Sequence, residues 1–335
     1  MCSSDLEKAT TISDFIAARF GHDAGMARLV TVTAMCGMVP YVALQLRSIG
    51  SAIAAVTGSV GAEPWVMAAA SAVLALFAIL FGARRYEVAG RNEGMLFSVA
   101  LESLIKLAAL LIVAGVAVWV IAIAPDPWVR FGWAELSRRF APEHLGLETI
   151  VIGLVSAMAI LVLPRQFYIA LAEAQDPADL PRARWGAAGY VAAMAGLIIP
   201  IALAGLVALP GDVPPDLFVL RLPQVAGQHW AVVAALLGGI SSAAAMVIVD
   251  STALATMVSN DLIFPAVLRS GGREDAAGDI GRRMLLVRRV AIVIGIALSL
   301  AWALLLPPRS SLASIGLVAF AAMAQFTPHL LLGVM

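Results

Sequence analysis

The stretch LLGGISSAAAMVIVDSTALATMVSND (residues 236–261) decides how the rest of the chain is read. It is almost continuously apolar and exceeds the roughly 20 residues a helix needs to cross a ~30 Å hydrocarbon layer. A β-barrel strand would alternate over about ten residues instead, so that alternative is excluded. Ser242, Met246 and Asp250 recur every four residues and therefore share one stripe of the helix. Gly238 and Gly239 permit a neighbouring backbone to come close, and the small residues around them suit a tight contact between membrane helices. Asp250 in mid-span is costly to desolvate. It either partners a basic side chain or serves as a cation, proton or solute contact.

Working outward, similar apolar runs lie near 26–57, 64–82, 95–124, 148–163, 185–209, 231–258, 287–306 and 309–334, which predicts eight transmembrane helices. The composition agrees: 61% of the 335 residues are apolar, 13% are charged, and the mean hydropathy is +0.93. A soluble domain is usually about 25% charged, enough to cover its surface. The expected fold class is therefore an all-α integral membrane bundle in contact with the lipid bilayer. A net charge of zero argues against a nucleic-acid partner. Cys2 and Cys36 cannot build a disulfide framework or a metal cluster.

Residues 1–9, MCSSDLEKA, lack the basic-then-apolar pattern of a signal peptide, and the sequence stops at Met335 within an apolar run. Both ends are expected to be truncations. Residues 1–25 are taken as a polar and amphipathic lead-in, and 26–335 as the transmembrane domain. Within the lead-in, TISDFIAARFG (11–21) predicts a short helix with an apolar face of Ile12, Phe15, Ile16 and Phe20, capped by Thr11 or Ser13.

Basic residues in short loops set the orientation. One side carries Arg84, Arg85, Arg91, Arg165, Arg182, Arg184, Arg269, Arg273, Arg282, Arg283, Arg288 and Arg289; the other carries Arg130, Arg138, Arg139, Arg221 and Arg309. Twelve against five makes the first side cytoplasmic. The segment 127–141, with Trp128 and Trp133, is expected to lie along the outer interface.

Three further polar features fall inside spans. Glu102 and Lys106 are one helical turn apart with Glu leading, the better order for an ion pair. The pair either locks the helix to a neighbour or belongs to a functional site. Gln45 and Arg47 follow Pro40 in the first span. Gln45 reads as packing glue or ligand, and Arg47 as a contact to carbonyls or a carboxylate elsewhere. In LVLPRQFYIALAE (161–173), Pro164 removes a backbone donor and kinks or interrupts the helix. Discontinuous helices at membrane depth are where transporters bind ions and solutes.

At these residues the chain resembles the sodium:solute symporter family, and within it the branch fused to bacterial sensor histidine kinases. The resemblance rests on six ordered blocks: TISDFIAARFG (11–21), PYVALQLRSIGSAIAAVTG (40–58), EGMLFSVALESLIKLAALLIVAG (93–115), LPRQFYIALAEAQD (163–176), LGGISSAAAMVIVDSTALATMVSNDLIFP (237–265) and SLASIGLVAFAAMAQFTPHLLLG (311–333). It implies a leucine-transporter-like fold of two inverted repeats, in which the eight spans are core helices three to ten and the first two are missing. It further implies a central cavity near the helix break, with Gln45, Pro164, Gln166 and Ser241 as candidate wall residues. Family members hold sodium partly with two adjacent hydroxyl residues on core helix eight. The matching positions here are Ala245 and Met246, which offer no hard oxygen ligand. Ser242 and Asp250 are the candidates to take over, as a sodium or a proton site.

The resemblance implies a symporter-like domain that transports or senses a small solute, such as an amino acid, by alternating access in the bacterial inner membrane. It would be the input domain of a histidine kinase acting on a response regulator. The alternatives are a free-standing sodium- or proton-coupled symporter and a non-transporting receptor or scaffold. No kinase chemistry is expected in this chain: His22, His144, His229 and His329 lie in loops or a terminal helix, without glycine motifs of an ATP site, and no organic cofactor is implied.

Overall fold

The structure is a computed structural model that describes residues 11–59, 61–82, 93–144, 146–167, 169, 180–265, 277–307 and 310–334. Every regular element among them is helical. Seven helical segments are long and apolar enough to cross a membrane, so the chain is a multi-pass membrane protein.

The first described helix, α1 (Ile12–Arg19), is short and starts on a capping box: Thr11 Oγ1 accepts from the Asp14 backbone, and Asp14 accepts from the Thr11 backbone. Thr11 is thus the cap, and Ser13 is free for another partner. Ile12, Phe15 and Ile16 are buried against α2 (Ala24–Thr57), while Phe20 stays half exposed beyond the helix end. The described part of the lead-in is therefore built into the bundle. Helix α2 is the most enclosed span, packed by α1, α3 (Glu63–Phe77, continuing as a π turn Ala78–Gly82) and three later helices. Pro40 lies inside it.

Helix α4 (Glu93–Ile123) leads to α5 (Asp126–Arg139), which exposes Trp128, Phe131 and Trp133, the side chains expected at an interface. Helix α6 (Leu147–Val162) is shorter than the sequence pattern predicts for a span; 16 residues rise about 24 Å, less than the hydrocarbon layer. The chain breaks at Leu163, whose ψ of 128° is extended, and restarts as α7 (Pro164–Phe167). The cause is local: proline disfavours helical backbone at the residue before it, and suits the first helical position itself. The predicted interruption is present. The continuation 170–176 lies outside the described residues, as do Arg84, Arg85, Arg91, Arg269, Arg273 and Arg309 of the orientation argument.

The remaining helices are α8 (Leu180–Ala208), the short α9 (Phe218–Val225), α10 (His229–Met257, continuing as a π turn Val258–Ile263), α11 (Ala277–Leu305), α12 (Leu312–Ala324) and α13 (Thr327–Val334). Helix α10 packs against α4, α2 and α11, and α12 packs against α2 and α6, so α2 and α10 form the centre. A Cβ on Gly238 would come 2.5 Å from the Ala109 Cβ of α4, so this glycine sets that crossing. Gly239, predicted to share the role, faces no atom within 4 Å and does not. Large apolar side chains such as Phe77, Phe81, Leu154 and Trp185 point outward. Lipid is as apolar as they are, which removes the penalty that water would impose.

Candidate functional site

Three turns of α10 carry the polar stripe, and each turn meets a different partner. Ser242 Oγ accepts from Lys106 Nζ of α4 at 3.1 Å, and the same ammonium pairs with Glu102 Oε1 at 3.0 Å. One turn on, the Tyr41 hydroxyl of α2 donates to Met246 Sδ at 3.4 Å. At the third turn, Asp250 Oδ2 stands 3.7 Å from Nη1 of Arg165 on α7. The Arg165 guanidinium carbon lies 5.0 Å from the Tyr41 ring centroid, a cation–π distance that ties α7 to α2. Tyr41 therefore links the second and third turns of the stripe.

Four charges thus lie along the stripe: Glu102 with Lys106 at its first turn, and Asp250 with Arg165 at its third. Glu102 is 7% exposed and Asp250 is fully buried. The helix break explains how a basic residue reaches this depth. The Leu163 bend turns the chain, and Pro164, at the start of α7, is buried with Phe167. Arg165 consequently lies against α10 rather than in a cytoplasmic loop, which corrects the orientation argument by one residue; eleven against five still favours the same side. Sequence reasoning singled out Pro164 but passed over Arg165 next to it, and Tyr41 next to Pro40. The signal available was adjacency to a proline at membrane depth.

Gln45, Gln166 and Ser241 are half-buried, and their side chains take no part in these hydrogen bonds. Ala245 is half-buried and Met246 serves as the thioether acceptor already described. Arg47 donates through Nη2 to the Pro307 carbonyl at 2.7 Å and through Nη1 to the Leu306 carbonyl at 3.4 Å, so it closes the end of α11 rather than meeting a carboxylate. His329 is exposed on α13, 3.3 Å from the Gln325 carbonyl and with its ring 6.3 Å from that of Phe20.

Ser242 and Asp250, the candidates for a sodium or proton site, each face a basic side chain, Lys106 and Arg165 respectively. Among the described residues no group of three or more His, Cys, Asp or Glu could hold a metal ion.

A second buried knot, at the far end of α10, was not anticipated. Asp261 Oδ2 accepts from Ser13 Oγ of α1 and from Thr31 Oγ1 of α2, both at 2.5 Å. Thr11 Oγ1 lies 2.8 Å from Ser13 Oγ. These contacts fasten α1 and α2 to the π turn. On the opposite side, Asp216 accepts from the Leu312 backbone at 3.0 Å, and Arg47 holds the neighbouring 306–307 carbonyls.

No protein-family model, curated protein or solved structure matches this chain.

Proposed function

We propose that the chain is a solute-binding membrane domain of the sodium:solute symporter type, working by alternating access between leucine-transporter-like repeats in a bacterial inner membrane. The observation that supports this reading best is the four-charge cluster at a broken helix. Charges in a membrane bundle are expensive, and grouping them at discontinuous backbone is the arrangement transporters use to hold a polar solute. A cluster serving packing alone would be expected to be fully hydrogen-bonded, and among the described residues Glu102 Oε1 and both Asp250 oxygens are not. The basic neighbours of Ser242 and Asp250 favour a solute or a proton over sodium at the stripe. That in turn supports the sensing role, in which occupancy of the cluster biases the bundle and the bias passes to an attached histidine kinase.

The test uses the full chain in detergent micelles and follows thermal unfolding with amino acids, carboxylic acids, sugars and nucleosides in turn. At least one class is expected to raise the midpoint, as any ligand specific to the folded state must. An Asp250→Asn variant should weaken that response. If no class shifts the midpoint, the solute-binding reading fails. Uptake of the stabilising solute into proteoliposomes then separates transport from sensing: accumulation supports a transporter, and binding without uptake supports a receptor. Coding DNA continuing into a phosphoacceptor histidine and an ATP-binding domain would support the kinase link.

A further inference from the structure

The two ion pairs in the cluster are built differently. Glu102 and Lys106 meet at 3.0 Å, and Ser242 takes a further bond from the ammonium. Asp250 and Arg165 stand 3.7 Å apart, beyond hydrogen-bond reach. Asp250 is fully buried, yet neither carboxylate oxygen receives a hydrogen bond among the described residues. A buried pair recovers its desolvation cost only with good geometry and bonds to the remaining lone pairs, and this pair has neither.

What would complete it follows from the donor inventory. A guanidinium presents a planar fork that matches a carboxylate through two parallel bonds. A carboxylate lacking donors matches an ammonium, which carries three. The charges of Glu102, Lys106, Arg165 and Asp250 sum to zero, so only a ligand that is itself neutral overall leaves no excess charge in the membrane.

We propose that Arg165 and Asp250 are the two poles of a binding site for a small zwitterion, a solute bearing one carboxylate and one protonated amine. This rests on the solute-binding reading above and assigns its ligand class. The ligand carboxylate pairs with the Arg165 guanidinium, and the ligand ammonium donates to Asp250. Because Arg165 belongs to α7 and Asp250 to α10, occupancy exchanges a loose direct pair for a bonded bridge between the broken helix and the central span. Glu102 and Lys106, already paired at 3.0 Å, remain as they are.

The experiment measures thermal unfolding of the full chain with each common α-amino acid, with its deaminated carboxylic acid and with its decarboxylated amine. One or more amino acids should stabilise the protein, with the matching fragments binding roughly 10- to 100-fold more weakly, the worth of a charge-assisted bond. The swapped variant Arg165→Asp with Asp250→Arg keeps an opposite-charge pair but reverses its poles; it should fold and lose the amino-acid response. Should the swap fail to fold, Arg165→Gln with Asp250→Asn gives the same reading without charge. A variant that folds and binds the amino acid as tightly as the parent overturns the proposal. So does a carboxylic acid or an amine that binds as well as the zwitterion. Stabilisation by a sugar or nucleoside but by no amino acid also overturns it while leaving the solute-binding reading intact; silence from every class removes both.

Discussion

Asp250 and Asp261 sit on the same helix, eleven residues and roughly 16 Å apart, and both are buried. Asp261 is bonded by two hydroxyls from two other helices, whereas Asp250 has a guanidinium standing off and no hydrogen bond among the described residues. The first has the character of a fastener. Its lone pairs are used, its donors come from α1 and α2, and its removal would release both. The second has bonding capacity that the described residues leave unspent, which is the basis for the binding role proposed above. A buried carboxylate therefore says little about its role until its hydrogen bonds are counted.

The sharpest way to break this comparison is Asp261→Ala. It leaves the Thr31 hydroxyl without its acceptor and Ser13 with Thr11 alone, and loss of two charge-assisted bonds should cost about 3–5 kcal/mol. Thermal unfolding in micelles should show a large drop, together with faster proteolysis near residues 20–23 as α1 undocks. A loss below about 1 kcal/mol would mean that Asp261 is no fastener. At the other pole, Arg165→Gln combined with Asp250→Asn should change stability by less than about 2 kcal/mol, because a poorly bonded buried pair contributes little net and the main loss is the Arg165–Tyr41 cation–π contact. A cost equal to that of Asp261→Ala would erase the distinction.

The smallest effect belongs to a third carboxylate, Glu135 on α5, which lies outside the spans. Hydrogen bonds from Arg138, then Arg139, hold its pKa below the ordinary carboxylate value. A lowered folded pKa contributes stability that is present above the usual carboxylate range and is lost as pH falls through the lowered value. Fluorescence of Trp128 and Trp133 should therefore change slightly on acidification, and Glu135→Gln should remove that change. The pair is exposed and screened, so global unfolding should not respond.

Much of this was legible from residue spacing. A cap at Thr11 or Ser13, the Pro164 break, the Glu102–Lys106 pair and the Ser242–Met246–Asp250 stripe depend on neighbours within a turn or two, where helix geometry fixes who meets whom. Arg47 was legible in kind, as a contact to carbonyls, but not in place, because its acceptors lie about 260 residues away. Gly238 and Gly239 were indistinguishable in sequence; only the position of Ala109 separates them.

The sequence by itself determined that this is a multi-span helical membrane protein and where its polar groups lie along each helix. Apolar run length and helical periodicity are properties of single segments, and they settle those questions locally. The tertiary structure decided which buried charges are satisfied. Arg165 reads as a loop cation until the bend at Leu163 brings it to Asp250. Ser13 reads as a cap until Asp261 claims it. Satisfaction of a buried polar group depends on partners from other helices, and their approach is set by packing rather than by sequence distance.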